Sequence, residues 1–281
     1  MLSYKHGFHA GNYADVLKHL CWLAVIRHLN KKNKPFTLYD THSGAGLYAL
    51  NDATALKTRE FESGIGLLQH ANSTDPLLSD YLSLIQPYQQ AYQYPGSPVI
   101  AMSGLREQDA MHLFELHPSE YAVLKGHTKS RKQVHPHYRD GFEGLLALAP
   151  PSNQRGAVLI DPPYEQQNEY KAVIDTVTAL YQRWQNAQVL VWYPKLSSRA
   201  GDKSGASERM VDTLCSLSKP VYCIELCTQP NTPDAGMYGT GVCVINPPWQ
   251  FDRDIEAAMQ DAMAVFGDHA TLTGRWLNPP E

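Results

Sequence analysis

In the stretch Val158-Leu159-Ile160-Asp161-Pro162-Pro163-Tyr164-Glu165 an apolar, β-type run ends in an acid, two prolines and an aromatic. These residue types suit the handling of a planar amino group. The carboxylate accepts one hydrogen, and prolines fix the backbone so that the Pro162 carbonyl converges on the same point. Tyr164 adds a face on which a flat ring could stack. A second phrase, Gly241 to Gln250 (GVCVINPPWQ), closes on Asn246, two prolines and Trp249. Which of the two carries chemistry depends on which edge of a sheet each one ends at.

In an open α/β sheet ligands gather at the carboxyl ends of the strands, and here the strand-closing residues form a series. The first strand ends in Asp40-Thr41-His42-Ser43-Gly44-Ala45-Gly46, whose glycines allow close backbone approach. The next ends in Glu115-Leu116-His117-Pro118, a third reaches Asp140-Gly141, and the fourth reaches the Asp161 turn. A lone glycine turn or strand-end acid is commonly structural. The joint order points to a cofactor edge.

Periodicity supplies the elements that would hold these residues. Val16, Leu20, Leu23, Ile26 and Leu29 recur at helical steps, predicting an amphipathic helix from about Asn12 to Asn30. FTLYD, MHLFEL, QVHPHY, AVLID, QVLVWYP, VYCIEL and GVCVIN read as strands. Between most of them lie the helical segments EYAVLKGH, GFEGLLALA, YKAVIDTVTALYQRW and SERMVDTLCSL. Residues 53–93 read as helical before the tight loop YPGSP, and Leu196 to Ser207 reads as a mobile surface loop. Strands alternating with helices predict a mainly parallel sheet covered on both faces.

With 281 residues, 43% of them hydrophobic, the chain can bury a full core. A net charge of −4 excludes general electrostatic attraction to nucleic acid, so any such partner must be gripped locally. Lys125, Lys129, Arg131, Lys132 and Arg139 form an acid-free run that is either such a grip or a solvated loop. Five scattered cysteines argue against a disulfide framework and for a reducing cytoplasm. No signal peptide or membrane-length apolar stretch is evident.

The N-terminal run LSYKHGFHAGNYADVLKH, DTHSGAG, YPGSP, LFELHP, RDGF and LIDPPYE together resemble the RlmJ family of ribosomal RNA methyltransferases, over nearly the whole chain. The resemblance implies a single α/β, Rossmann-like class I methyltransferase domain over residues 1–281. It also implies a seven-stranded mainly parallel sheet, helices on both faces and a helical insertion at about 51–94. Glu115 lies much further from the glycine turn than the usual ~20 residues for a ribose-binding acid, and the insertion accounts for that gap.

The family's cofactor is S-adenosyl-L-methionine, and its substrate is an adenine N6 in 23S ribosomal RNA. By resemblance His42, Gly44 and Gly46 face the methionine side, Glu115 the ribose, and Asp140 and Gly141 the adenine end. Ser97, Lys18 and His19 lie against the cofactor or its carboxylate, with Asp161 at the reacting centre. Tyr4 and His6 belong to a flap over the substrate. Asp161, Pro162 and Tyr164 form the catalytic set, Tyr164 also stacking on the target base. The family's seventh strand is antiparallel, which would put Asn246 and a packing Trp249 at the edge away from the cofactor.

Guanine-N2 and cytosine-N4 methylation use the same Asp-Pro-Pro-Tyr chemistry and stay open, as does a nucleotide-binding module without turnover. A monomer without metal and without membrane attachment is expected. Histidines 6, 9 and 19 otherwise read as helix-start and surface residues.

Overall fold

The computed structural model describes residues 5–69, 71 and 73–280. In chain order the strands are β1 (Thr37–Asp40), β2 (Leu47–Ala49), β3 (Gln93–Pro95), β4 (Ala110–Glu115) and β5 (Val134–Tyr138). They continue with β6 (Gly156–Ile160), β7 (Gln188–Leu196), β8 (Val221–Cys227), β9 (Met237–Ile245) and β10 (Thr271–Asn278). The helices are α1 (Tyr13–Asn30), α2 (Ala53–Thr58), α3 (Ile65–Leu68), α4 (Pro76–Gln90) and α5 (Ser97–Ser103). After them come α6 (Pro118–Thr128), α7 (Gly141–Leu148), α8 (Asn168–Arg183), α9 (Ala206–Cys215) and α10 (Phe251–Phe266).

Eight strands form the main sheet, in the order β10-β8-β9-β7-β6-β1-β4-β5. β5, β4, β1, β6 and β7 are mutually parallel, while β9 runs antiparallel to both β7 and β8, and β10 antiparallel to β8. The expected seven strands therefore become eight. The added strand escapes sequence reading because none of its residues is buried and Gly274 interrupts it. The glycine lets the strand pass close to the Tyr222 hydroxyl and the Glu256 carboxylate, which a Cβ there would displace.

Alternate residues of the central strands feed two apolar layers, as strand geometry dictates. Ala157, Leu159 and Leu190 face the layer built with α1, α4, α5 and α10, whereas Val158, Ile160 and Val191 face α7, α8 and α9. Burial on both sides explains why these strands read as continuous apolar runs. The helical insertion lies between β2 and β3, which pair antiparallel with each other, and its Leu77, Leu78, Tyr81 and Ile85 join the α1 layer.

Helix α1 departs from the amphipathic expectation. Its polar residues Asp15, Lys18 and His19 are buried along with the apolar ones, covered by His6, by Asp161 at the end of β6 and by Tyr94 of β3. YPGSP is also no free loop, because it forms β3 and the first turn of α5. The stretch 196–207 contains a 3-10 segment over Ser198–Lys203 and the start of α9. The basic run divides. Lys129, Arg131 and Lys132 sit in the turn entering β5, at its N-terminal end, and Arg139 follows its C-terminal end.

Candidate active site

β1 is flanked by β4 and β6, both parallel to it; the chain runs outward from β1 through β4 to β5 and then crosses back to β6 and β7 on the other side. Such a switch point opens a crevice at the carboxyl ends of the strands. A cavity of about 310 Å³ occupies it. His42 and Gly44 enter from the end of β1, Glu115 from β4, Asp140 and Gly141 from the start of α7, and Asp161 from the end of β6. The buried first half of α1 contributes Lys18 and His19, α5 contributes Ser97, and His6 comes from the 3-10 turn His6–Phe8. Four expected residues are not in this wall, Tyr164 among them. Gly46 packs behind it, its carbonyl accepting from the Gly96 amide at 2.9 Å, Pro162 is buried, and Tyr4 lies outside the described residues.

Local chemistry explains the shape of the crevice. Gly44 has φ +56°, and a Cβ there would come within 2.0 Å of the Tyr48 hydroxyl oxygen. At Gly141 a Cβ would strike the Thr41 carbonyl at 1.8 Å, so α7 can start against the β1 turn only with glycine there. Asp140 caps α7 through one oxygen, Oδ1, which accepts from the Phe142 and Glu143 amides at 2.9 and 3.0 Å. Its Oδ2 faces no protein donor among the described residues. Glu115 accepts from the Gly44 amide at 2.8 Å and the His117 amide at 2.6 Å, one on each oxygen. Burial raises its pKa and these amides oppose the rise. A lone pair remains on each oxygen.

The charged centre is a buried chain. Lys18 Nζ donates to Asp161 Oδ2 at 2.6 Å and lies 2.8 Å from Asp15 Oδ1. Asp15 also accepts from His6 Nε2 at 2.9 Å and from the Gly11 amide at 2.8 Å. Burial pushes the Asp15 carboxyl up, but His6 and Lys18 outweigh it and hold the group well below the usual range. Burial likewise acts to lower Lys18, and the two aspartates raise it, so it stays charged. Asp161 is raised by burial, with Lys18 opposing. His19 is neutral, because burial lowers its pKa to about 3, and its Nδ1 shares a hydrogen bond of 2.7 Å with the Tyr94 hydroxyl. Burial also lowers His42, to about 4.

A second cavity, of about 470 Å³, lies on the other side of this centre. His6, Lys18, Asp161 and Pro163 line both cavities. Tyr13, Trp192 and Pro194 add apolar wall to the second one, and Tyr164 reaches it too. Tyr164 does not present the open stacking face expected of it. The residue is 2% exposed, packed beside Tyr170 and Trp192, and its hydroxyl donates to the Trp192 carbonyl at 2.8 Å. A φ of 50° turns it back into the core, and Lys203 Nζ bonds its carbonyl at 3.2 Å and that of Glu165 at 3.3 Å.

Residues 33–277 match the family described as "RsmJ: Ribosomal RNA large subunit methyltransferase D, RlmJ". The chain belongs to this family. Two proteins named "Ribosomal RNA large subunit methyltransferase J" are similar over their whole length. That of Escherichia coli (strain K12) is 38% identical over 287 residues, and that of Haemophilus influenzae 34% over 286, each alignment covering 99% of this chain. Among solved structures, protein LPL1258 from Legionella pneumophila superposes with a TM-score of 0.85 at 32% identity, covering 95% of this chain and 98% of that one.

In this RlmJ-family chain the two Pro-Pro phrases lie at opposite ends of the sheet. Asn246 follows the antiparallel β9, and its amide donates to the Pro220 carbonyl at 2.7 Å while Nδ2 donates to the Ala187 carbonyl at 3.2 Å. Both acceptors belong to segments entering β8 and β7. Trp249 is not a packing residue as expected, since it is 78% exposed. Asp15, Asp40 and Trp192 were not anticipated as site residues. Asp15 had a readable signal, three residues before Lys18 on one helical face. Trp192 had none.

Asp40 is fully buried beneath the cavity floor, accepting from Ser97 Oγ at 2.7 Å. Burial raises its pKa to about 7, against the Ser97 bond. An acid raised on folding contributes stability below its unfolded pKa and loses that contribution as pH climbs through the folded value. Between pH 5 and 8 the wild type should therefore lose about 2–3 kcal/mol more stability than Asp40→Asn. Urea unfolding at both pH values checks this, and parallel curves for the two proteins would remove the assignment.

Proposed function

We propose that this chain transfers a methyl group from S-adenosyl-L-methionine to the N6 amino group of an adenine in 23S ribosomal RNA. One observation carries the reading: Asp161 stands, with Lys18, in the wall shared by two cavities, so a donor in one and an acceptor in the other meet at its carboxylate. The first cavity fits the cofactor. Its volume is within the range of small-molecule sites, Gly44 and Gly141 leave no room for side chains, and the lone pairs of Glu115 and the unpaired Asp140 Oδ2 suit ribose hydroxyls and an adenine amino group. Neutral His42 and His19 add no charge against a sulfonium. Bound there, the cofactor supplies a methyl group on a sulfonium that is already an excellent leaving group.

The protein's part is to prepare the nitrogen. An adenine amino group is a weak nucleophile while its lone pair is delocalised into the ring. Lys18 fixes Asp161 through Oδ2 and leaves Oδ1 free to accept one amino hydrogen; the Pro162 carbonyl, which has no partner among the described residues but lines neither cavity, accepts the other once the turn shifts to expose it. Both bonds favour the tetrahedral nitrogen over the planar one. With Tyr164 buried, Trp192 and Pro194 take over as the apolar wall for a base withdrawn from its helix. Tyr164 acts as the anchor of the turn, with Lys203 holding its carbonyl. The chain works as a monomer on this reading.

Incubating the purified protein with labelled cofactor and unmodified 23S transcript, then digesting to nucleosides, tests the proposal. Label in N6-methyladenosine is the expected result. Label in N2-methylguanosine or N4-methylcytidine would overturn the acceptor, and no transfer at all would overturn the reaction.

A further inference from the structure

The loops entering β6, β1, β4 and β5 lie side by side at the N-terminal end of the sheet, opposite both cavities. They carry Lys31, Lys32 and Lys34 before β1, and Lys129, Arg131 and Lys132 before β5, all six exposed and none in an ion pair among the described residues. Within these loops the one exposed acid is Glu107, since Asp109 is buried and paired with Arg106 at 2.8 Å, and exposed Asp254 of α10 shares a cavity wall with Lys31. In a chain of net charge −4 this end has the opposite sign.

The platform is built rather than merely solvated. Arg106 donates to the Lys32 and Lys34 carbonyls at 3.0 and 2.9 Å, and Arg155 to the Lys34 carbonyl at 2.6 Å. Gln108 donates to the Asn33 carbonyl at 3.3 Å. Both guanidinium groups lie over the Phe36 ring, at 5.2 and 5.8 Å. Two arginines thus hold the backbone of 32–34 and display its lysines. The local field is felt by His28, whose pKa is lowered first by burial and then by Lys31, Lys32 and Arg155, against Asp254.

We propose that this end of the sheet is a second RNA-binding surface, gripping the phosphate backbone of a segment remote from the target nucleotide. The inference rests on RNA being the substrate. Four adjacent strands set a row about 14 Å wide, enough for several phosphates of one backbone. No large exposed hydrophobic residue lies in these loops; exposed Trp249, at the same end of the sheet, follows β9 outside the basic row, so the row itself lacks the apolar centre of a protein interface. Asn33, Gln108, Ser130 and Gln133 supply neutral donors between the cations. Because the cavities open at the other end, nucleotides flanking the target base cannot also reach this surface. The partner is another part of a folded RNA.

The test compares full-length protein with two variants, Lys31/Lys32/Lys34→Gln and Lys129/Arg131/Lys132→Gln, on 23S transcript and on the shortest fragment of it that is still methylated. On the transcript each variant should lower the slope of log K against log salt by about 2–3 and weaken binding at least about tenfold at 0.15 M salt. On the fragment, affinity and single-turnover rate should match wild type, which also controls for folding. Unchanged slopes on the transcript would overturn the inference. So would normal transcript binding with lost binding to ribosomal particles, which would assign the surface to a ribosomal protein. Absence of methyl transfer by the wild type would instead remove the functional reading beneath it.

Discussion

Asp161→Ala is expected to lower single-turnover methyl transfer by at least about 10³-fold while leaving cofactor affinity within a few-fold of wild type. The loss has two parts. One is the acceptor for an amino hydrogen, a contact stronger at the reacting nitrogen than in the ground state and comparable to an oxyanion-hole donor, about 10²–10³. The other is the partner of Lys18, whose ammonium at 2.6 Å would be left facing the methyl acceptor. Asp161→Asn should retain more activity, since an amide oxygen still accepts. Asn246→Ala is the matched control. It removes one hydrogen bond, to the Ala187 carbonyl, and puts alanine at φ 56°, so it should cost about 1–2 kcal/mol of stability and less than about twofold in rate. Calorimetry for the cofactor and a labelled-methyl single turnover distinguish the two. An inactive, folded Asn246 variant beside an active Asp161 variant would mean the strand directions have been misread.

The second large effect is structural. Asp15 satisfies Lys18, His6 and the Gly11 amide from a buried position, so Asp15→Ala leaves a buried cation with half its compensation. Removing one partner of a buried pair costs about 3–5 kcal/mol, whereas replacing both with apolar groups of similar volume is far cheaper. Asp15→Leu/Lys18→Met should accordingly be more stable than the sum of the single losses predicts, by at least about 1.5 kcal/mol. Its methyl transfer should stay at least about 100-fold down, because Asp161 has lost the group that orients it. Urea unfolding of the two singles and the double decides this. Additive losses would show that the chain of charges does not act as a unit.

The sequence alone determined what local geometry can encode. A strand closing on glycine, on acid or on Asp-Pro-Pro reads directly, because turn conformation and backbone approach depend on the residue at that position. Alternating apolar runs and helical periods likewise defined seven strands of the main sheet and most of the helices, and the N-terminal motifs pointed to the family. Tertiary structure decided everything that depends on a neighbour distant in sequence. The chemical difference between Asp161 and Asn246 is set by strand direction, because β9 pairs antiparallel with β7 and carries its closing residues to the far end. The burial of Asp15, Lys18 and His19 comes from His6, the end of β6 and Tyr94 of β3 covering a helix face that local patterning leaves polar. Tyr164 turns inward because Trp192, 28 residues away, offers its carbonyl to the phenol. The lysines of 31–34 and 129–132 form one surface because β1 and β5 flank β4, an adjacency fixed by hydrogen bonds between strands and written in no single stretch of the chain.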